Sequence, residues 1–420
     1  MRVLHVNKYL YRRGGAESYM FDLADLQRQA GHEVDFFGMT HPDNEAQRLA
    51  HHFPRQVELE PPPSTALGKA SAVARMIWSS SSRRGLAHVL DEVQPDVVHL
   101  HNIYHQLSPS ILAATSEFGV PTVMTLHDYK LACPSYQMLD HGKVCSACIE
   151  RGPLQAARHR CKDGALAPSV VLAAESWLHR RMGAYDGVDA FICPSRFLAG
   201  TMAAAGVYPG RMHVINHFVD VTGVPVRLSA GSGFAFAGRL SSEKGVDTLI
   251  TALSAVPEAH LTVVGDGPQR AALEAQAADV APGRVRFLGR LDRQGVLGVL
   301  RRSRAAVVPS RWNENQPMVV LEALASGVPV VTTDLGGLSE LIDHGSDGLV
   351  VPADDPRALS AALRTMHDEP GRSVEMGARG RQKVERQFSA DRHLGQVSHL
   401  YATIAHEPKS RRAALHPVEL

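Results

Sequence analysis

The sequence predicts an α/β protein with two domains, each built on a parallel sheet that helices cover on both faces. The 420 residues are enough for two ordinary domains. Short apolar runs alternate with helical patterns along both halves, which is the βαβ arrangement of a parallel sheet. Gly, Pro and Ser cluster at 220–233, where we expect the linker between the halves.

The expected elements follow the chain in order. In the first half, strands are expected at 3–6, from 34 onward, and at 96–100, 121–126, 190–193 and 213–215. Helices are expected at about 17–30 and 69–79, the latter within a weakly patterned segment at 50–82. In the second half, strands are expected near 234–237, 261–264, 285–288, 305–308, 328–332 and 349–351. A final helix is expected at 389–403, followed by a mobile tail at 408–420 that has no period.

Composition restricts the function classes. Apolar residues make up 44 % of the chain and charged residues 21 %, as in soluble globular proteins. The formal net charge of +1 gives no bias toward nucleic acid, so we expect no nucleic-acid partner. The first seven residues enter a strand pattern without the form of a signal peptide, and no apolar run is long enough to span a membrane. These features predict a cytoplasmic enzyme, with peripheral contact on the inner face of the membrane left open.

Glu314 and Glu322 bracket a predicted helix start. Pro317 fits the first helical position, and Gly327 fits the end of the helix. The helix N-terminus between the two glutamates is formed by Asn315, Gln316, Pro317, Met318 and Val319. Its N–H groups and positive dipole end suit an anion, and a carboxylate beside an anion site suits a nucleotide sugar. Two exposed acids at an ordinary helix start would give the same spacing.

Arg239 and Lys244 follow another predicted strand, at a strand-to-helix turn that begins with Gly238. Ligands of α/β sheets bind at such turns, beyond the carboxyl ends of the strands. Two cations there can neutralise a diphosphate, the arginine as a bidentate fork and the lysine as a point charge. Solvated surface cations are the simpler alternative.

Together these residues resemble those of the family-4 retaining glycosyltransferases of the GT-B fold. The motifs that carry the resemblance run in the family's order between about Phe234 and Pro352. They are Gly238-Arg239-Leu240 with Glu243-Lys244-Gly245, Gly265-Asp266-Gly267-Pro268, the Glu-x7-Glu pair, Ala325-Ser326-Gly327-Val328-Pro329-Val330 and Gly336-Gly337-Leu338-Ser339-Glu340-Leu341. The N-terminal half matches more loosely, through Gly14-Gly15-Ala16-Glu17 and Thr125-Leu126-His127-Asp128.

The resemblance implies a domain plan and a reaction. It implies two Rossmann-like domains facing across a cleft, an acceptor-side domain at 1–220 and a donor-binding domain at 221–388. A crossover helix at 389–420 then returns to the first domain. A hexose would pass from a nucleotide-diphosphate sugar to a hydroxyl of a glycan, lipid-linked or small-molecule acceptor, with retention of configuration. The leaving diphosphate would help deprotonate the incoming hydroxyl.

The resemblance also implies residue roles. Arg239 and Lys244 would stabilise the leaving diphosphate, with Gly238 and Gly267 in the same donor-binding set. Glu314 would hold hydroxyls of the transferred sugar, and Glu322 those of the ribose. Since no Asp-x-Asp motif is evident, we expect no catalytic metal.

In the first half, Gly14 and Gly15 lie between the first strand and the first helix, where a helix N-terminus can hold phosphate. A plain turn is the simpler interpretation, and the resemblance places the loop against the donor diphosphate or the acceptor. The neighbouring Arg12 and Arg13 fit an anion but could equally be solvated. His127 ends a strand, and the resemblance implies contact with the transferred sugar. His99, His101 and His105 form a second cluster, for which packing or acceptor contacts are favoured over metal binding.

Four cysteines share one segment, an insertion at about 130–165 that lies outside the family's shared core. They are Cys133, Cys145, Cys148 and Cys161. Without an export signal, structural disulfides are disfavoured, and a four-thiolate metal site, most simply zinc, is expected. An iron–sulfur cluster or four free thiols are the alternatives. Cys193 stands apart as a buried hydrophobe.

Three hypotheses stay open beside this prediction. One is a nucleotide-sugar hydrolysing epimerase of the same fold, and another is a non-catalytic sugar-nucleotide binding protein. The fate of the sugar separates them: it reaches an acceptor, reaches water, or stays on the nucleotide. The third concerns location. Basic residues at 69–84 and 151–162 adjoin apolar ones such as Trp78, and such mixtures can dock on anionic lipid. A solvated surface with one anchoring Trp is the favoured interpretation, because the helical apolar face is short.

Overall fold

Two six-stranded parallel sheets, one in each of two units, form the framework of the computed structural model. The structure describes residues 1–57, 63–227 and 229–406. The first unit comprises Met1–Gln137, Cys145–Ile215 and the chain from Leu394 on, and the second comprises Met138–Val144 and Asn216–His393. The predicted mobile tail at 408–420 lies outside the described residues.

The sheet of the first unit has the strand order β2-β1-β3-β4-β7-β8. Its strands are β1 (Arg2–Val6), β2 (Glu33–Phe37), β3 (Val97–Leu100), β4 (Thr122–Thr125), β7 (Ala190–Cys193) and β8 (Met212–Val214). Between β4 and β7 the chain forms a small antiparallel hairpin, β5 (Leu139–Asp140) and β6 (Lys143–Val144), whose residues belong to the second unit. The connections reverse direction between β1 and β3, which is the switch point where α/β sheets bind ligands.

Eight helices connect the strands of the first half. They are α1 (Gly15–Gln29), α2 (Ala66–Ile77), α3 (Ser80–Val93), α4 (Ile111–Glu117), α5 (Ala147–Arg151), α6 (Gln155–Arg158), α7 (Leu166–Arg181) and α8 (Arg196–Ala204). Single 3-10 turns occur at Ala50–His52 and Pro209–Arg211. The segment at 50–82 holds more helix than the sequence predicts, because α3 begins where Ser79 caps it by accepting from the N–H of Ser82. Residues 58–62 of that segment lie outside the described chain.

The sheet of the second unit has the order β11-β10-β9-β12-β13-β14. Its strands are β9 (Phe234–Ala237), β10 (Leu261–Val264), β11 (Val285–Gly289), β12 (Ala305–Val308), β13 (Val330–Thr333) and β14 (Gly348–Val351). Its helices are α9 (Val246–Ser254), α10 (Arg270–Val280), α11 (Arg293–Arg302), α12 (Met318–Ala325), α13 (Leu338–Leu341), α14 (Pro356–Asp368) and α15 (Pro370–Gln387). Here the connections reverse between β9 and β12, so the loops after these two strands meet at the switch point.

Alternation along the strands fills two cores in the second unit. Phe234 and Phe236 of β9 pack into one cluster with residues of α9 and α14. Ala235, between them, packs into the other cluster with residues of α11 and α12. Successive side chains of a strand point to opposite faces, so the sheet is covered on both sides. The expected fold class, with every expected strand within two residues of its predicted bounds, is confirmed.

The last helix, α16 (Ala390–His406), completes the first unit. Val397, Leu400, Tyr401 and Ile404 are buried against β-strand residues of the first sheet, among them Val3, Val97 and Val123. The residues of α16 from Leu394 on belong to the first unit, and those up to His393 belong to the second. Within the described parts of the chain, no helix combines the length and apolar character that crossing a membrane requires.

Candidate active site

Two loops of the second unit are hydrogen-bonded to each other at the carboxyl ends of β9 and β10. The N–H of Gly238 donates to the carbonyl of Val264, and that of Leu240 donates to Asp266. A Cβ at Gly267 would overlap the backbone of Leu240, and one at Gly265, whose φ is +131°, would overlap Gly238. Glycine is therefore required at both positions because the two loops approach each other so closely.

Lys244 and Glu314 form the centre of this edge of the sheet. Lys244 ends a single 3-10 turn after β9, and Glu314 lies on the loop after β12. The ammonium Nζ of Lys244 lies 2.7 Å from Glu314 Oε1, and the Ser310 hydroxyl donates to the same oxygen at 2.6 Å. Lys244 also lies over the ring of Trp312, 5.0 Å from its centroid. Lys244 and Glu314 thus form an ion pair with each other.

Glu314 is ionised although it is 5 % exposed. Burial raises the pKa of its carboxyl group, but the charge of Lys244 and the hydrogen bonds from Lys244 and Ser310 outweigh burial and lower it. The backbone of Glu314 is held as well, because the N–H of Gly337 donates to its carbonyl at 2.7 Å. Gly336, with φ of +64°, leaves no room for a Cβ beside Glu314. The Gly336-Gly337 motif therefore fixes the position of the glutamate.

Helix α12 starts one residue later than the sequence predicts. Pro317 is the N-cap, with ψ of 123°, and Met318 is the first helical residue. The correction follows from the preceding loop, which keeps Pro317 extended. Gln316 is buried, and its Oε1 accepts from the N–H of His217 at 2.5 Å. Among the described residues its Nε2 has no hydrogen-bond partner, so Gln316 keeps one buried donor for a ligand.

Glu322 and Arg239 differ in their surroundings. The side chain of Glu322, in the second turn of α12, is 14 % exposed and pairs with Arg293 Nε at 3.1 Å. Arg293 is the first residue of α11, and sequence reasoning missed it because the pair joins two different helices. Arg239 is exposed on the turn after β9. Asn315, Met318 and Val319 are partly exposed around the start of α12.

In the first unit, Gly14 and Gly15 lie at the start of α1. Gly14 is the N-cap in extended conformation, and Gly15 is the first helical residue. Glu17 is buried behind them, and the side-chain amide of Asn7 donates to it at 3.4 Å. Arg12 pairs with Asp22 at 2.7 Å, and its side chain is 42 % exposed.

His127 follows β4 and connects to the core through other imidazoles. Its Nε2 lies 3.1 Å from His101 Nδ1, and His101 Nε2 lies 3.0 Å from His5 Nδ1. His5 Nε2 lies 2.7 Å from the side-chain oxygen of Gln27. Burial lowers the pKa of His127 to about 3 and that of His5 to about 4, so both are neutral at pH 7.

This chain of contacts determines where the protons lie. The amide oxygen of Gln27 only accepts, so His5 Nε2 carries a proton and His5 Nδ1 accepts from His101 Nε2. His101 Nδ1 in turn faces Nε2 of His127. The amide nitrogen of Gln27 donates to the Tyr401 hydroxyl at 3.3 Å. His127 is therefore connected to the core through two other imidazoles.

His99 and His105 make hydrogen bonds within the protein. His99 and His101 share one face of β3, with ring centroids 4.4 Å apart, as the alternation predicts. Both nitrogens of His99 are engaged, Nδ1 with Tyr401 at 2.6 Å and Nε2 with Thr125 at 2.7 Å. His105 lies apart from them, at 3.0 Å from Glu175. The favoured packing role agrees with this geometry.

A buried charged group beside His127 is absent from the sequence analysis. Lys130 Nζ lies 2.8 Å from Glu175 Oε2, and both side chains are buried. Burial alone would raise the pKa of Glu175, but Lys130 and His105 lower it to about 2. Asp128 accepts from the backbone N–H of Lys130 at 2.8 Å. Lys130 lies three residues after His127, but its partner is 45 positions away in the sequence, so spacing could not show the pair.

The structure thus gathers the predicted residues into two sets. Arg239, Lys244 and Glu314, with Gly238 and Gly267, lie at the switch point of the second sheet, and α12 with Glu322 follows the same loop. Gly14, Gly15 and His127 lie at the carboxyl edge of the first sheet. The four cysteines form a third group, on the chain between β4 and α7.

Comparisons with known proteins agree with this arrangement. The family model described as Glycosyltransferase Family 4 matches residues 13–222, half of the chain, and the model described as Glycosyl transferases group 1 matches residues 231–369. Glycogen synthase of Mycobacterium tuberculosis is 31 % identical over 305 residues, which are 70 % of this chain and 66 % of that protein. The chain therefore spans just under two thirds of that relative.

A second relative and a solved structure match a larger share of this chain. Phosphatidyl-myo-inositol mannosyltransferase of Mycolicibacterium smegmatis is 26 % identical over 403 residues, covering 93 % of this chain and 91 % of that protein. Anabaena HepE, solved in complex with UDP and glucose, superposes with a TM-score of 0.67 at 18 % identity, covering 96 % of this chain and 100 % of that one. At that identity the likeness shows the fold alone, which is GT-B.

Proposed function

Because the chain belongs to Glycosyltransferase Family 4, we propose that it transfers a hexose from a nucleotide-diphosphate sugar to an acceptor hydroxyl, with retention of anomeric configuration. The bond between the anomeric carbon and the diphosphate oxygen breaks. A bond to the acceptor oxygen forms on the same face of the sugar, and the hydroxyl proton passes to the leaving diphosphate. HepE, which holds UDP and glucose, supports this class of donor.

The observation that carries the proposal is the partly buried pair of Lys244 and Glu314 at the switch point of the second sheet. Lysine has three N–H donors, so Lys244 can keep its bond to Glu314 and still donate to phosphate oxygens. Arg239, exposed on the same turn, adds a second cation. Two cations against one carboxylate leave net positive charge for the leaving group, which is where the transition state accumulates negative charge.

Glu314 and His127 would act on the transferred sugar in different ways. The ionised Glu314 accepts hydrogen bonds from sugar hydroxyls and stabilises positive charge at the anomeric carbon. His127 is neutral, so it would orient a hydroxyl by hydrogen bonding and would not supply charge. The roles assigned to Gly14, Gly15, Gly267 and Glu322 remain part of the proposal. No step needs a divalent metal.

A thermal-shift screen of nucleotide-diphosphate sugars tests the donor site first. A bound donor raises the melting temperature by mass action, and the Lys244→Ala variant should lose most of that shift. The donors that bind are then incubated with candidate glycan, lipid-linked and small-molecule acceptors. Sugar on an acceptor hydroxyl with the donor's anomeric configuration supports the proposal. Release of free or epimerised sugar alone indicates the hydrolysing epimerase, and binding without any turnover indicates a sugar-nucleotide binding protein.

We further infer that the enzyme works at the surface of an anionic membrane. Leu166, Val170 and Trp177 are exposed along one side of α7, with exposed fractions of 53, 46 and 47 %. Arg181 follows in the last turn of that helix. Leu67, 86 % exposed on α2, lies on a helix that packs against α7. We call these four apolar residues the lipid-docking face.

This assignment moves the membrane contact away from the residues that the sequence suggested. Arg83 is paired with Glu117, and Arg75 donates to the carbonyl of Arg55, so both are engaged within the protein. An apolar stripe with Trp beside basic residues is the pattern of an interfacial helix. A relative that bears the name phosphatidyl-myo-inositol mannosyltransferase is consistent with a lipid-linked acceptor.

A further inference from the structure

Four cysteines of one segment lie near one another in the first unit. Cys133 lies in the turn after β4, where its N–H donates to Tyr129 and its carbonyl accepts from Tyr136. Cys148 is in α5, and Cys161 follows α6 with its N–H bonded to the carbonyl of Ala156. Cys145 stands between the β5–β6 hairpin and α5. All five cysteines lie among the described residues, and none of them forms a disulfide there.

Their thiol groups are close enough to influence one another. The thiols of Cys133 and Cys148 are hydrogen-bonded, and Cys145 and Cys161 lie near Cys148 as well. Cys133 and Cys148 are 6 % and 7 % exposed, and Cys161 packs beside Cys148. Cys148 is therefore in contact with two of the other cysteines and has the third in its neighbourhood.

The segment around the cluster has little else to stabilise it. Helices α5 and α6 have five and four residues, and the strands of the hairpin have two each. Helices this short are unstable on their own in water. The apolar cluster that joins them contains Cys148 and three alanines, Ala156, Ala157 and Ala173, with Cys161. Alanines bury little area, so this part of the chain lacks the core that a fold of its size needs.

Arg180 supplies positive charge beside the thiols. Its Nη2 donates to the carbonyls of Leu131 at 3.0 Å and Ala132 at 3.3 Å, directly before Cys133. Burial lowers the pKa of Arg180, while Cys148 and Cys133 act in the opposite direction because they lie nearby. The Ser135 hydroxyl is 3.3 Å from Cys133 Sγ and can donate to a thiolate. A guanidinium and a hydroxyl are the partners that a negatively charged metal–thiolate group needs.

We propose that Cys133, Cys145, Cys148 and Cys161 bind one zinc ion, which holds the segment between β4 and α7 in its fold. Four thiolates close the tetrahedral shell of zinc, so the site is structural and leaves no position for substrate. Binding releases four protons, one from each thiol, and forms four zinc–sulfur bonds with a net charge of −2. Arg180 offsets part of that charge. No oxidant or reductant takes part.

The two histidine-containing clusters of the described chain are weaker candidates for the metal. His5, His99 and His101 have nitrogens close together, but His5 and His99 already use both nitrogens in hydrogen bonds. His51, His52 and Glu92 lie at the surface. Zinc bound at either of these clusters would have no sulfur ligand, so the presence of metal–sulfur bonds distinguishes the cysteine site from both.

The test measures metal in the full-length protein, made without an affinity tag of histidines and purified without chelator. Elemental analysis should find about one zinc per chain in the wild type. The double variant Cys145→Ser/Cys148→Ser should lose it. The matched control is Cys193→Ala, since Cys193 is buried on β7 away from the cluster, and it should retain about one zinc.

Two further measurements keep the proposal testable if the double variant does not fold. Protein produced in cobalt-supplemented medium should show sulfur-to-cobalt charge-transfer absorption with the intense visible bands of a tetrahedral site. Stepwise modification of the wild-type thiols with a mercurial should release zinc to a colorimetric indicator in proportion to the loss of four thiols. Zinc that persists in the double variant, a cobalt spectrum without sulfur bands, iron with inorganic sulfide, or the absence of metal would each overturn the proposal.

Discussion

Lys244 Nζ lies 2.7 Å from Glu314 Oε1, so the lysine after β9 and the glutamate after β12 neutralise each other in the unliganded protein. Removal of either residue leaves the charge of the other without its partner. Glu314 is the more buried of the two, with a side chain 6 % exposed against 21 % for Lys244. The pair therefore contributes to stability as well as to the proposed chemistry.

Substitution Lys244→Ala should lower turnover at least about tenfold, because it removes a cation that faces the leaving diphosphate. It should also cost about 3 kcal/mol of unfolding free energy, since a buried carboxylate loses its partner. Adding Glu314→Gln should recover part of that stability and none of the activity.

Arg239→Ala is the matched control, because removal of an exposed arginine should cost under about 0.5 kcal/mol of unfolding free energy while still reducing turnover. Urea unfolding and initial rates measure both effects; normal rates in a variant lacking both cations would remove the assignment.

Substitutions of Glu322 and Glu314 should change different steady-state kinetic parameters. Glu322→Ala should mainly raise KM for the donor, since ribose contacts are alike in the ground and transition states. Glu314→Ala should mainly lower kcat. Arg293→Ala should resemble a milder Glu322→Ala, because Arg293 orients that carboxylate at 3.1 Å. A fall in kcat for Glu322→Ala with unchanged KM would contradict these roles.

Stability should fall as the pH drops from about 6.5 toward 4. Burial lowers the pKa of His127 to about 3 and those of His5, His105 and His393 to about 4. Between these values and the ordinary pKa near 6.5, the unfolded chain binds protons that the folded chain does not. Acid therefore favours unfolding, by about 1.4 kcal/mol per pH unit for each histidine.

Chemical denaturation at pH 7, 6 and 5 measures this slope. His127→Asn should reduce the slope by close to one proton, because one buried neutral imidazole is removed. The control His399→Asn, at an exposed position on α16, should leave it unchanged. Any acid release of bound metal is common to both variants and cancels in the comparison. Equal slopes in the wild type and in His127→Asn would show that His127 titrates normally.

The lipid-docking face predicts binding to anionic vesicles at low salt and release at high salt. Replacing Val170 and Trp177 with Ser should abolish co-sedimentation, because it removes the apolar part of the contact. Phe118→Ser is the matched control, since Phe118 is exposed to 44 % on a different helix end. Equal recovery in the supernatant with neutral and anionic vesicles at low salt would defeat the proposal and favour a soluble acceptor.

The sequence carries most of the framework because buried parallel strands are marked by continuous apolar runs. Phe234–Ala237 and Ala305–Val308 have the bounds that their apolar residues predict. The β5–β6 hairpin is not predicted from the sequence, since two-residue strands have no period. Helices α5 and α6 are too short to be predicted for the same reason. The start of α12 is predicted to within one position and that of α1 to within two, because local rules apply at helix ends.

The side-chain partners within the site lie beyond local patterns. Lys130 and Glu175 pair across 45 positions, and His5 reaches His101 across 96. The strand order of the first sheet brings His5 and His101 together, because β1 and β3 are neighbours, whereas Glu175 reaches Lys130 from α7. Motifs identified Lys244 and Glu314 individually, but their direct ion pair depends on β9 and β12 being neighbours at the switch point.

The division of α16 between the two units has a consequence for biosynthesis. The first sheet buries Val3, Val97 and Val123 against Leu400, Tyr401 and Ile404, which the ribosome adds about 300 to 400 residues after the strands they cover. The first sheet therefore emerges with one face uncovered until α16 has been synthesised. A nascent chain stopped before Leu394 would expose that apolar face to chaperones and proteases, so the first unit becomes stable only after its last-made helix is available.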